Sequence, residues 1–228
     1  MNSKVTRTII NIVLVLIIIC FLWPFETPRK GILIKSIDAP IAFKNEKENR
    51  EDVIKQRLID IRDAEIQYKQ ANKKYTSNFD TLIYFCSNYE IPIIKMVTDT
   101  EDTVYFNEHS DYRTYNDTIG YKLVADSLFG KRENFNINEL SIVPFSDPIT
   151  TFEIQDSIIK RGGISVPVIE VKTPFEVYLS KPGKGFTEAE WNTRVRNEKA
   201  ELEQLDKYAG RKFGSLEEAS TDGNWEKL

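Results

Sequence analysis

Cys86 and His109 are the thiol and the imidazole that lie outside the apolar N-terminal run, and together they have the residue types of a nucleophile and its base. Cys86 falls on the apolar side of a helical pattern, where a thiol packs as a small hydrophobe. No oxyanion-forming or orienting motif accompanies the pair. Glu108, His109 and Asp111 are metal-ligand types at close spacing, but the chain has a single histidine and no cysteine cluster to complete a zinc set. Asp99, Glu101 and Asp102 offer oxygen donors, without the glycine and terminal glutamate of a calcium loop. Gly162-Gly163 is too short to cradle a phosphate and fits a hairpin turn instead. The carboxylates are too many and too evenly spread to mark a glycosidase pair. No catalytic, cofactor-binding or metal-ligating residue is assigned, no cofactor is expected, and the chain is not expected to be an enzyme.

The residues left are aromatic. Tyr105, Phe106, Tyr112, Tyr115 and Tyr121 fall in or next to a polar, turn-prone stretch (98–118), and Trp225 lies near the C-terminus. They are the expected interaction surface, lining a groove for a peptide, glycan or lipid. The plainer alternative is packing at a sheet edge.

What must position these side chains begins with an apolar run. From Ile9 to Trp23 only Asn11 is strongly polar. With its flanks the run is about 18 residues, near the lower limit for crossing the hydrocarbon core. Trp23 and Phe25 stand where interfacial aromatics belong. The bulky Phe21-Leu22-Trp23-Pro24 that follows is no signal-peptidase site. Ile19 stands before Cys20, where a lipobox wants a small residue. The run is therefore read as an uncleaved anchor over 9–25, behind a cytoplasmic tail over 1–8. Lys4 and Arg7 favour the N-terminus inside. The expected location is the inner membrane, single-pass, with the C-terminal domain in the periplasm and the bilayer as a partner through 9–25.

The whole chain carries a formal net charge of −4 over 228 residues, although residues 1–25 contain only Lys4 and Arg7 as charged side chains. The remainder is more acidic still, which opposes general nucleic-acid binding. The two cysteines lie in different environments and provide no disulfide framework.

Residues 26–44, with Pro28, Gly31 and Pro40, read as a linker with at most one short strand. Proline should keep the anchor helix from running on. Residues 45–74 read as a helix, because Ile54, Leu58, Ile61, Ala64, Tyr68 and Ala71 step by three or four. Lys55, Arg57, Asp60, Arg62, Asp63, Glu65 and Lys69 then fall on its solvated faces. Ser77 or Asn78 caps a second helix carrying Leu82, Phe85, Cys86 and Tyr89, which Pro92 ends. Val104-Tyr105-Phe106 reads as a short strand within a long loop or hairpin, and residues 119–130 as a short helix ending near Gly130. Three β-rich runs follow, LSIVPF, TTFEIQDSII and ISVPVIEVKT. The second alternates on Phe152, Ile154 and Ile158, and Gly162-Gly163 joins it to the third. FEVYL from Phe175 suits a further strand. Thr187 and Glu190 form a capping box, with Phe186 stapled to Trp191. That helix carries Val195, Leu202, Leu205 and Tyr208 and stops at Gly210. Ser215 and Glu218 suit a final helical turn.

An apolar helix, an amphipathic helix with Ala64-Glu-Ile-Gln-Tyr68, the turn Lys74-Tyr75-Thr76-Ser77-Asn78-Phe79-Asp80-Thr81-Leu82 and then antiparallel strands: this layout resembles type IV pilins and pseudopilins. The resemblance implies a helix covering a small sheet. The prepilin peptidase site is absent, since Thr8 precedes Ile9 and no glutamate occurs before Glu26. The resemblance therefore implies the fold and not the processing route. The chain is also similar to a set of single-pass proteins common in Bacteroidota. The shared pieces are Pro40-Ile41-Ala42-Phe43-Lys44-Asn45-Glu46, IRDAEIQYK, YTSNFDTL, Val143-Pro144-Phe145 and the signature from Gly214 to Glu226. That similarity implies a cell-envelope setting in a Gram-negative bacterium and no activity.

The expected fold is α+β: an N-terminal transmembrane helix, a pilin-like ectodomain over 45–180 with an amphipathic helix covering a small antiparallel sheet, and a C-terminal helical extension over 181–228. The expected role is a non-enzymatic, membrane-anchored periplasmic structural or assembly protein, secretion- or filament-related, with envelope protein partners or self-association. A tethered binding module stands second and an enzyme third.

Overall fold

A computed structural model of the chain describes residues 13–14, 28–101, 105–106 and 112–226. The expected anchor over 9–25 lies outside the described residues except for Val13 and Leu14, which are helical. Among the described residues no helix is long and apolar enough to cross a membrane. His109, Glu108, Asp111, Asp102 and Val104 also lie outside the described residues. The chain divides into two compact units, Met1–Glu46 and Lys47–Leu228. The architecture is α+β, with a long N-terminal helix and two small antiparallel sheets.

Helix α1 runs from Pro28 to Asn72. Residues 28–44, expected as a linker with a strand, are thus helical, with Pro40 inside the helix. A proline removes one helical hydrogen bond and crowds the preceding turn, but its fixed φ already suits a helix, so the chain beyond it can continue. In the second unit the apolar stripe behaves as its period demands. Ile54, Leu58, Ile61 and Ala64 are fully buried, and Tyr68 and Ala71 half-buried. The charged faces do not all meet solvent: Asp60 and Glu65 are buried, correcting the expectation of a solvated surface.

The helix stops at Lys73, whose φ of 63° is left-handed and whose amide donates to the Lys69 carbonyl at 2.8 Å. This is the chain reversal that usually takes glycine. Asn78 then caps helix α2 (Phe79–Asn88), its side-chain oxygen accepting from the Thr81 amide at 3.0 Å. Leu82, Phe85 and Cys86 are buried, and Phe85 meets Tyr68 edge to face at 5.1 Å. Tyr89, expected in the stripe, is the exposed C-cap and stacks on Phe85.

Strands β1 (Glu90–Asp99) and β2 (Arg113–Leu123) form a two-stranded antiparallel sheet. Tyr105 and Phe106, expected in a short strand, are helical. Helix α3 (Val124–Phe129) follows, with Val124 and Phe129 buried.

The LSIVPF run is not a strand. It makes one bridge, Ile142 to Thr151, and turns through Phe145 at φ 64°. Its apolar residues Leu140 and Val143 pack into the core from a loop. Strands β3 (Glu153–Arg161), β4 (Ile164–Pro174) and β5 (Gly210–Gly214) form the second sheet, in the order β3-β4-β5, all antiparallel. Gly162 and Gly163 stand at φ 57° and 84°, the two left-handed residues of a type I′ turn. The alternation foreseen for β3 holds only at its start, since Ile158 is exposed. β4 is the central strand and carries the core residues Val168, Ile169, Val171 and Thr173.

FEVYL is not a strand either. Pro174 caps a short helix α4 (Phe175–Tyr178), and the Phe175 amide donates to the Ala209 carbonyl. Helix α5 (Glu188–Gln204) starts with the capping box of Thr187 and Glu190, and Phe186 meets Trp191 at 5.5 Å. Trp191 and Val195 are buried on α5, whereas Leu205 beyond its end is exposed. Ser215 accepts from the Glu217 and Glu218 amides in a turn, with no final helix. The segment expected as an extension from 181 onward gives β5 to the sheet and Trp191 to the core.

Candidate interaction surface

The hairpin of β1 and β2 starts where α2 ends. Its base is closed by the Val124 amide, which donates to the Tyr89 carbonyl at 3.0 Å. Glu90 then pairs with Leu123, and the register runs to Asp99 opposite Arg113. The register shifts between Ile93 and Ile94, so that Ile119 is an extra residue on β2. Such a bulge sharpens the local twist of the strand that carries it.

Side chains alternate between the two faces of a strand, and directly opposed residues share a face. Ile94, Met96, Thr118, Asn116 and Tyr121 therefore share one face, and Ile93, Lys95, Val97, Asp117 and Tyr115 the other. Both faces meet solvent. Met96 is 70% exposed, Tyr121 66% and Ile94 57% on the first, and Tyr115 is 50% exposed on the second. A two-stranded hairpin with neither face covered is marginal by itself. Among the described residues no further strand pairs with its outer edges.

Of the aromatics singled out in the sequence, Tyr112, Tyr115 and Tyr121 are exposed and belong to the hairpin or its immediate flank. Phe106 is exposed and stacks on Tyr112 at 4.7 Å, and Tyr105 is half-exposed. Trp225 is elsewhere. It is half-buried and its ring lies against Gly223, where an added Cβ would come within 2.4 Å of it. The hairpin residues missed in the sequence are Ile93, Ile94, Met96 and Ile119. They form no period-2 pattern with polar neighbours, because no face of this sheet is buried along its length.

Several buried charges tie distant segments together. Glu51 pairs with Arg211 of β5 and accepts from the Tyr178 hydroxyl at 3.5 Å. Lys47 lies 3.9 Å from the same carboxylate and pairs with Glu198 of α5. Arg50 donates to the carbonyls of Tyr178 and Lys181 and lies 5.0 Å from the Trp191 ring. Asp60 accepts from Arg132 at 2.6 Å and from Gln56 at 3.0 Å. Arg211 Nε is left without a hydrogen-bond partner among the described residues.

Like the Thr173 hydroxyl, Glu65 is also incompletely partnered among the described residues. One oxygen accepts from the Thr76 amide at 3.2 Å, and Oε1 has no hydrogen-bond partner among the described residues. Burial pushes its carboxyl up to about 8, against the pull of the Thr76 bond and with help from Asp156. Burial also pushes the Cys86 thiol up to about 12, with Glu65 adding to the effect. A thiol held so high stays protonated and unreactive. Among the described residues no group of acidic, histidine or cysteine side chains is placed to hold a metal ion. Hollows of about 170 Å³ beside Lys69, Tyr75 and Ser220, about 290 Å³ beside Glu176 and Arg196, and about 480 Å³ along α5 at Glu190, Arg194 and Asn197 lie on the second unit. The last is within the roughly 300–1,000 Å³ of ligand pockets but is lined by α5 alone.

No protein-family model matches the sequence, and no curated protein or solved structure matches it.

Proposed function

We propose that this chain is a non-enzymatic, membrane-anchored structural or assembly protein of the cell envelope, with its C-terminal domain in the periplasm and the β1–β2 hairpin as its contact surface. The observation that carries this reading is the hairpin itself, with Ile94, Met96, Tyr115 and Tyr121 exposed on its two faces. Exposed apolar side chains gathered on one element mark an interaction site. The anchor belongs to the proposal through the apolar run over 9–25. A pilin-like layout is supported by the single helix from Pro28 to Asn72, whose buried stripe lies in the same unit as the β3-β4-β5 sheet.

Co-purification of the full-length protein in mild detergent tests the role. Wild type is expected to emerge in complexes, with itself or with envelope proteins. Substituting Ile94, Met96 and Tyr121 by Ser should release a monomer. These are surface positions, so the stability of the body should move by no more than about 0.5 kcal/mol per site. A wild-type monomer at every concentration, with no partner, would remove the assembly role.

A second reading is a tethered module that binds an extended peptide. It is favoured by the exposure of Tyr115 and Tyr121 beside open strand edges, since a peptide can add as a further strand. Recovery of short peptides with the purified hairpin-intact protein, and not with the Ser variant, would favour it.

A further inference from the structure

We infer that the outer edge of β1 pairs with the same edge of a second copy of this chain, in one register centred on Val97. The inference rests on the hairpin being the contact surface and names its partner. β2 is bulged at Ile119, a feature that blunts an edge. β1 has Pro92 near its base and then runs regularly from Ile94 to Asp99 as IKMVTD, rich in strand-forming residues. Among the described residues no strand pairs with its outer side.

Two copies joined as one antiparallel sheet are related by a two-fold axis perpendicular to the sheet. Paired residues must share a face, so the axis passes through a residue and its own copy. Few centres are available. An axis at Lys95 sets two ammonium groups opposite each other, which is unfavourable. An axis at Ile94 brings Pro92, which lacks an amide hydrogen, into the ladder opposite Met96. An axis at Met96 puts Asp99 opposite the apolar Ile93.

An axis at Val97 does better on each count. Lys95 of each copy then faces Asp99 of the other. Within each hairpin Lys95 already stands opposite Asp117, so charge alternates along the row Asp117, Lys95, Asp99. Val97 meets its own copy, with Tyr115 next to it on either side. Met96 meets Thr98, and Pro92 stays outside the paired segment. A β-branched and aromatic centre flanked by opposite charges is the favourable arrangement for cross-strand pairs. The spacing of Lys95 and Asp99 about Val97 makes this edge complementary to itself. Anchoring would raise the local concentration of copies and assist a short pairing.

Charge complementation on the full-length protein in detergent tests the register. Lys95→Glu alone opposes two acids across the axis twice, and Asp99→Lys alone opposes two ammonium groups twice. Each variant is expected to self-associate about tenfold more weakly or worse, by sedimentation. An equimolar mixture restores both opposite-charge pairs and should restore association. Cysteine placement checks the same axis independently of charge. Val97→Cys should form a symmetric disulfide under a mild oxidant, because directly opposed Cα atoms lie about 4.5–5.5 Å apart. Met96→Cys, on the more exposed side chain, should not, being offset by two residues from its copy. Wild type is the control for Cys20 and Cys86.

A mixture no stronger than either variant, or equal crosslinking through positions 96 and 97, would overturn this register. If hairpin positions capture a different envelope protein while the mixture fails, self-pairing falls and the contact-surface reading stands. A wild-type monomer without partners overturns both.

Discussion

The Glu65 carboxyl lies between α1 and the turn at Tyr75–Asn78, with one oxygen on the Thr76 amide and the other without a partner among the described residues. Burial lifts it from 4.5 to about 8, so the fold favours its protonated form. A carboxyl raised in this way contributes its stability in full below about pH 4.5 and loses it as the pH climbs through about 8. The charged group that bears on it is Asp156, which raises it further. Glu65→Gln keeps the shape and cannot ionise. The variant is expected to match wild type near pH 5 and to be more stable at pH 9 by roughly 2–4 kcal/mol. Thermal melts at the two pH values measure this, and an unchanged difference between them would contradict it. The burial of Glu65, Asp60 and Glu51 was not legible in the helical pattern. Their partners Thr76, Arg132 and Arg211 come from other elements, 11, 72 and 160 positions away, and period alone assigns such charges to solvent.

At the scale of elements, legibility followed burial. The stripe from Ile54 to Ala64 reads from its period because one face of α1 is buried in full. The caps at Asn78 and Thr187 and the Gly162-Gly163 turn read from local chemistry. Only 98–118 reads as a loop or hairpin, residues 93–97 of β1 carry no assignment and 119–123 of β2 read as part of a short helix, since side chains on both faces are exposed and no alternation results. FEVYL has strand-forming residues, yet Pro174 and the Ala209 carbonyl start a helical turn there. Tertiary contacts outweighed propensity at that site. One backbone position has a sharp consequence. Gly214 has φ 77°, and an added Cβ would sit 2.0 Å from the Ile169 carbonyl oxygen. Gly214→Ala is expected to separate β5 from β4 and cost roughly 1–3 kcal/mol. Denaturant melts check it, and a neutral result would mean that this edge of the sheet can shift freely.

Over the whole molecule, the C-terminal segment binds the second unit together. Glu51 holds Arg211 of β5, Arg62 holds Glu226 at 2.9 Å, and Arg50 lies 5.0 Å from the ring of the fully buried Trp191. The expected boundary at 181 rests on Pro182-Gly183, and the segment beyond it supplies β5 and Trp191 to the second unit. Trp191→Ala should cost roughly 3–5 kcal/mol, a large share of the 5–15 kcal/mol that holds a typical domain. A chain ending before Thr187 should fail to give a cooperative thermal transition. If it melts as sharply as the full chain, the last segment is an appendage after all.

The proposed function puts the partner contacts of a tethered chain on the β1–β2 hairpin. The most direct measurement is in-cell photo-crosslinking of the full-length chain, with a benzophenone amino acid at Met96, at Tyr121, or at the exposed Glu201 on α5 as control. Discrete adducts from Met96 and Tyr121, and none from Glu201, are the expected result. A folded, membrane-localised protein that gives no adducts from either hairpin position, or equal adducts from all three, would contradict it.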